Sequence, residues 1–178
     1  RTFDVPSAWR GKQILLHFGA VDWKAEVWVN DVKVGEHTGG FTPFYFDITS
    51  VLNKGNNDLV VKVWDPSDRG EQPRGKQIAN PHGIWYTPVT GIWQTVWLEP
   101  VATQYITNLK TTPDIDNNSV KVEVAANTTS ADKVEVKVFD GKNLVAKGAA
   151  LNGVPVELAM PTNAKLWSQT LLSSTTWK

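Results

Sequence analysis

The residues best equipped for chemistry crowd into one stretch of this 178-residue chain, "DPSDRGEQPRGKQIANPHGIWYTPVTGIWQTVW", Asp65 to Trp97. From Asp65 to Gly83 it shows no strand period and mixes Asp65, Asp68, Arg69, Glu71, Arg74, Lys76 and Gln77. A loop of that length in a compact domain is usually functional or disordered. It then runs into Trp85 and Tyr86, whose rings either anchor the loop or stack on a sugar. The residues alone leave both readings open. Two of its carboxylates could work as general acid and base, but surface loops commonly mix charges, and spacing alone does not support catalysis.

Other chemistries find less support. His17, His37 and His82 are far apart and lack partners at metal-ligand spacing, so no metal or cofactor is expected. His17 lies on a strand, on the face opposite Ile14 and Leu16, where a structural or solvent role is the simpler reading; His37 and His82 read as loop residues. No glycine-rich phosphate loop precedes a helix, and no G-x-S-x-G elbow occurs. Cysteine is absent, which removes thiolate chemistry and disulfides. Eighteen basic residues balance eighteen acidic ones with no long run of either sign, which argues against nucleic acid and anionic membrane surfaces as partners. No apolar run approaches the roughly 20 residues of a membrane span. The sequons at Asn117 and Asn127 are matches by letter.

The elements that must position these residues read as strands. Period-two alternation recurs, and no helical stripe of ten residues or more is present. Ile14, Leu16 and Phe18 share a face, as do Leu59, Val61 and Val63; later, Val120, Val122 and Val124 line up, and so do Val134, Val136 and Val138. "QTVWLEP" reads as a short strand stopped by Pro100. Turn signals separate the runs at Asn30-Asp31, Lys54 to Asn57, Asp116 to Asn118 and Asp140 to Asn143. Many short strands with frequent turns predict all-β sandwiches. Near Pro100 to Tyr105 the chain changes from Trp- and Gly-rich segments with long loops to plain Val/Lys/Glu alternations. Two sandwiches in series follow, residues 1–101 and 102–178. Six of the nine tryptophans lie between Trp9 and Trp93.

One hairpin can be predicted in register. With Asn30-Asp31 as a two-residue loop, Val29 faces Val32 and Val27 faces Val34, so four valines share one side while Trp28 and Lys33 take the other. Gly39-Gly40 then permit a close backbone turn before Phe41, and Phe44 and Phe46 share a face opposite Tyr45.

These segments carry a resemblance. "AVDWKAEVWVNDVKVGEHTGGFTPFYFDIT", followed by "TGIWQTVWLEP", resembles the N-terminal sugar-binding domain of glycoside hydrolase family two, which includes β-galactosidases, β-glucuronidases and β-mannosidases. Asp31 stands where that pattern usually has Gly, a tolerable exchange because Asp can take positive φ. The likeness covers residues 1 to about 101. From about Gln104 the chain is similar to the family's immunoglobulin-like sandwich, with "KLWS", Lys165 to Ser168, matching a motif before its last strand. The resemblance implies an all-β fold: a jelly-roll, galactose-binding-like β-sandwich followed by an immunoglobulin-like β-sandwich, both truncated at the chain ends. It also implies that the catalytic (β/α)₈ barrel lies beyond Lys178 and holds both catalytic glutamates of a retaining mechanism.

On that basis no catalytic residue is expected in this chain. β-Galactosidases of the family offer an Asp from the loop before G-I-[WF]; here His82-Gly83 occupy that place, so its role is not carried over. The loop candidates for substrate contact are Arg74, Lys76, Gln77, His82, Trp85 and Tyr86. The resemblance implies an accessory, non-catalytic portion of a β-galactosidase-like hydrolase that shapes the barrel's substrate pocket. Alternatives are a stand-alone carbohydrate-binding module, which would bind sugar by itself, and a structural sandwich, whose reading frame would contain no barrel. Carbohydrate is the expected partner, through the barrel. Open sheet edges favour a homo-oligomer, and resemblance alone suggests a bacterial periplasmic or secreted setting.

Overall fold

The computed structural model describes residues 1–164; the "KLWS" motif lies outside them. The chain divides into two compact units, Arg1–Thr103 and a second beginning at Gln104. Among the described residues the only helical segments are two single 3-10 turns, Ser7–Trp9 and Thr49–Val51.

The first unit contains nine strands: β1 (Thr2–Asp4), β2 (Gln13–Phe18), β3 (Val21–Asp22), β4 (Lys24–Val29), β5 (Val32–Thr38), β6 (Phe44–Asp47), β7 (Asn56–Trp64), β8 (Gly91–Ile92) and β9 (Val96–Val101). They form a four-stranded sheet in the order β1-β7-β4-β5, a three-stranded sheet β6-β2-β9, and a short ribbon β3-β8. The predicted inward faces meet between the sheets. Ile14, Leu16 and Phe18 of β2 pack in one buried cluster with Ala25, Val27 and Val29 of β4, joined by Val21 and Ile48. Leu59, Val61 and Val63 of β7 and Phe44 and Phe46 of β6 close its sides. A sandwich with alternating in-out residues on each strand is the result.

Three local expectations are corrected. His37 sits inside strand β5, with its ring stacked 4.2 Å from Phe44, because β5 runs on to Thr38 to stay paired with β4. Pro100 lies within β9, opposite Ile14, rather than ending it. β9 is an edge strand, so the missing proline N–H faces no second neighbour. Asn56 and Asn57, read as turn residues, begin β7.

The hairpin between β4 and β5 keeps its two-residue loop, with Asn30 and Asp31 both at positive φ (50° and 63°), as an I′ turn requires. Val29 pairs with Val32 and Trp28 with Lys33, but a bulge follows and Val27 pairs with Gly35 instead of Val34. The four-valine face therefore fails. Val27 and Val29 are fully buried and Val34 packs against the core, whereas Val32 is 49% exposed at the hairpin tip. Asn30 is tied down by its side chain, which donates to the Val51 carbonyl (2.7 Å) and to Asn57 Oδ1 (2.8 Å) and accepts from the Asp58 N–H (3.0 Å). Asp31 carries the left-handed backbone without comparable help. We expect Asp31→Gly to raise stability by up to about 1 kcal/mol, read as a higher Tm in thermal denaturation; an unchanged or lower Tm would show that the turn is not strained.

In the second unit, β10 (Ile106–Asp114), β11 (Ser119–Ala126) and β14 (Val156–Ala159) form one sheet, and β12 (Lys133–Asp140) and β13 (Asn143–Leu151) form another. Val122, Val124, Val138 and Leu158 make its buried core, flanked by Val120, Val134 and Val136, which follows the predicted alternation. The Asp116–Asn118 turn is closed by Asp114, whose Oδ1 accepts from the Asp116 and Asn117 N–H groups. The bonds from Asn117, side chain first, hold that carboxyl below its ordinary range.

Candidate functional site

The long segment after β7 is ordered by its own polar side chains. Arg74 Nη1 donates to the Asp68 carbonyl at 2.9 Å and also reaches that of Gly70. Gln77 works in both directions: its Nε2 donates to the Arg74 carbonyl (3.1 Å) and its Oε1 accepts from the Val89 N–H (2.7 Å). Asp68 Oδ2 accepts from the Ala79 N–H, and Asp65 accepts from the Ser67 N–H and the Thr90 hydroxyl. A bridge between Gln77 and Tyr86 returns the chain towards β8. A loop without strand ladders must satisfy its backbone groups locally, and these side chains share that task with backbone bonds such as Ile78 N–H to the Tyr86 carbonyl and Tyr86 N–H to the Lys76 carbonyl.

Where the loop returns, it opens a cavity of about 350 Å³ lined by Asp22, Phe41, Gln77, Val89, Thr90, Gly91, Ile92 and Trp93. The β3-β8 ribbon builds its floor by pairing Asp22 with Gly91 and Val21 with Ile92; the Asp22-Trp23 peptide is cis. Trp93 is fixed by its indole Nε1, which donates to the Gly40 carbonyl at 2.7 Å. Phe41 meets Trp93 edge-to-face at 5.8 Å, with planes 71° apart. Both rings keep about half their surface open, 57% for Phe41 and 51% for Trp93. Gly40 leaves room for the acid beside them, since a Cβ there would fall 2.6 Å from Asp22 Oδ1. That oxygen is buried and has no hydrogen-bond partner among the described residues. Burial first, and the nearby Asp65 charge second, push the Asp22 carboxyl above its ordinary value. A buried carboxylate oxygen without a partner forgoes a hydrogen bond, a cost this site carries.

Of the six loop candidates from the sequence, only Gln77 lines this cavity. Arg74 and Gln77 spend their polar atoms on holding the loop. Lys76, His82, Trp85 and Tyr86 lie along its exposed rim. Trp85 is 40% and Tyr86 64% exposed, so neither ring is sunk into the core as an anchor would be. His82 bends back, its Nδ1–H donating to the Asn80 carbonyl at 2.9 Å. His17 takes the structural role: it stacks 4.7 Å from Trp97, nearly parallel, and its Nε2 stands 2.8 Å from the Glu99 carboxylate, off the hydrogen-bonding line. Sequence reasoning passed over Asp22, Phe41 and Trp93 as site residues. For Asp22 a signal existed: an acid set between Val21 and Trp23 in an otherwise apolar run needs a reason to be there.

Fold and site together define an all-β sandwich with an aromatic-walled cavity beside its long loop. The profile of "Glycosyl hydrolases family 2, sugar binding domain" matches residues 1–99, and the chain belongs to that family. A β-galactosidase of Thermoanaerobacter pseudethanolicus is 35% identical over 144 residues, covering 80% of this chain and 18% of that protein. A putative β-glucuronidase of Formosa agariphila is 30% identical over 161 residues, 85% of this chain and 19% of that protein. Among solved structures, a Lactobacillus rhamnosus β-glucuronidase superposes with a TM-score of 0.72 at 30% identity, covering 94% of this chain and 29% of its own. The chain thus spans under a third of the length of each of these three relatives.

Proposed function

We propose that this chain is the accessory, non-catalytic N-terminal portion of a retaining glycoside hydrolase, β-galactosidase-like in its substrate. The observation that carries the reading is the family match over residues 1–99, joined to the long, internally braced loop before β8. In this reading the two sandwiches, residues 1–101 and 102–178, support a separate catalytic barrel. The exposed rim residues Lys76, His82, Trp85 and Tyr86 reach the sugar from the side, while Arg74 and Gln77 set the loop's shape. Contacts of this type hold the substrate equally in ground and transition state, so they lower KM rather than carry proton transfer. Pairing between copies along open sheet edges belongs to the same reading, and a monomer by light scattering at high concentration would remove it.

The test is hydrolysis of nitrophenyl glycosides by the protein of the full reading frame and by the 178-residue chain. The full-length protein is expected to release nitrophenol from the β-galactoside, and the 178-residue chain to release none. In the full-length protein, Trp85→Ala is expected to raise KM about tenfold with a smaller change in kcat, as the loss of uniform binding predicts. Turnover by the 178-residue chain, or no glycosidase activity in the full-length protein, would overturn the proposal.

A further inference from the structure

We propose that Asn152-Gly153 is a deamidation site gated by the fold of the second unit. It is closed while the turn after β13 is intact, open once that turn is released and, once used, a bar to refolding.

The chemistry is set by two neighbouring residues. Asn152 is the only asparagine of the chain that is followed by glycine. In such a pair the glycine nitrogen, unshielded by a neighbouring side chain, gives its proton to hydroxide and attacks the asparagine Cγ. The N–Cγ bond forms, the Cγ–Nδ2 bond breaks and ammonia leaves. Water then opens the cyclic imide at one carbonyl or the other. The products are aspartate and isoaspartate, the latter with an extra methylene in the main chain. No co-reactant besides water is required.

The fold withholds both reacting atoms. The Gly153 N–H donates to the Val124 carbonyl at 2.9 Å, and the Val154 N–H closes the turn on the Leu151 carbonyl at 2.9 Å. Gly153 sits at φ 78°, a conformation that strains any residue with a β-carbon, so the turn keeps a glycine behind Asn152. The Asn152 side chain is directed to the end of β11 instead. Its Oδ1 accepts from the Ala126 N–H (2.8 Å), and its Nδ2 donates to the carbonyls of Ala126 (3.0 Å), Thr128 (3.3 Å) and Thr129 (3.5 Å). Its backbone N–H donates to the Asp132 carbonyl at 2.8 Å. One asparagine thus ties together β11, the loop that follows it and the turn between β13 and β14. Cyclisation must break these bonds and bring Cγ onto the Gly153 nitrogen, so it waits on local opening of the unit.

Conversion then removes the way back. In the aspartate product an acceptor oxygen replaces Nδ2 and faces the carbonyl oxygens of Ala126, Thr128 and Thr129, which lose their donor. In the isoaspartate product the added methylene also shifts the Gly153 N–H away from Val124. The turn therefore keeps a covalent, one-way record that the second unit has opened.

The experiment holds the 178-residue chain in mildly alkaline buffer, with and without denaturing urea, and follows Asn152 by peptide mass spectrometry that separates aspartate from isoaspartate. Conversion is expected to be at least about tenfold slower without urea, the protection that a folded turn confers. In urea, where folding plays no part, Gly153→Ala should slow it several-fold by shielding the attacking nitrogen. Asn152→Asp, which carries the acid on an unaltered backbone, should lower the Tm of the second unit by about 5 °C or more. A chain converted in urea and returned to buffer should fail to regain amide-exchange protection in β11 and β14, whereas an unconverted chain regains it. Equal rates with and without urea, no conversion in urea, or an unchanged rate in Gly153→Ala would overturn the proposal. So would a parental Tm in Asn152→Asp or full recovery of protection after conversion.

Discussion

Replacing Asn57 with alanine is expected to lower the stability of the first unit by about 3 kcal/mol, from three lost hydrogen bonds and the groups they leave buried. Asn57 is 1% exposed, the one fully buried polar residue among those described. Its Oδ1 accepts from the Asn53 N–H (2.7 Å) and from Asn30 Nδ2 (2.8 Å), and its Nδ2 donates to the Gly55 carbonyl (2.7 Å). It therefore joins the turn before β7 to the tip of the β4-β5 hairpin. Removing it strands the Asn53 N–H and the Gly55 carbonyl, while Asn30 Nδ2 keeps its bond to Val51. For a unit of this size the loss corresponds to a fall in Tm of about 10–20 °C. The control is Asn57→Leu, which fills the space but makes none of the bonds; it should do no better than alanine. A leucine variant with native-like Tm in a thermal melt would show that volume, and not hydrogen bonding, is what the site needs.

Gly35→Val should be comparably damaging for the opposite reason. A Cβ built at Gly35 falls 2.2, 2.6 and 2.8 Å from three carbons of the Phe46 ring, well inside van der Waals contact. Phe46 has no easy retreat. It packs on the core and meets Phe44 edge-to-face at 5.6 Å, and Phe44 is stacked on Phe18 at 4.9 Å and on His37 at 4.2 Å. The two sheets approach closely here, and a branched side chain must force them apart. Overpacking of this kind costs about 1–3 kcal/mol and sometimes more, and Gly35→Val stands at the upper end because the clash involves a whole ring. The measurement is urea denaturation of Gly35→Val, Phe46→Ala and the double variant. If the clash is the cause, the double variant is less destabilised than the sum of the singles; strict additivity would refute it.

Both sites show where the sequence stops speaking. Gly35 sits in "VKVGEHT" and Asn57 in "KGNNDL", and each looks like a local punctuation mark. Gly35 is needed because a ring from the other sheet lies over it. Asn57 is buried because the chain entering β7 passes beneath the hairpin tip, and it meets Phe3 of β1 on its far side. Neither neighbour is close in sequence. The bulge that sets Val27 against Gly35 has the same character: alternation predicts the facing of a strand, but the extra residue that breaks register is chosen by what the strand packs on.

Most strand faces, the two-residue turn at Asn30-Asp31, the change of texture after Pro100 and the family itself were legible in the sequence, whereas the four-valine face of the hairpin was not. They depend on contacts within a few residues: Cβ atoms alternate along a strand whatever lies across from it, and two positive φ angles in succession restrict the residue types by local sterics. The long loop before β8 was also recognisable as unusual, and its rim residues proved exposed. What only the tertiary structure decided was the cavity. Asp22, Phe41 and Trp93 are 19 to 71 residues apart in the chain, and they meet because β3 pairs with β8 and because the Trp93 indole reaches back to Gly40. Contacts of that separation follow from sheet pairing and burial of the whole core, and no local pattern of residue types encodes them.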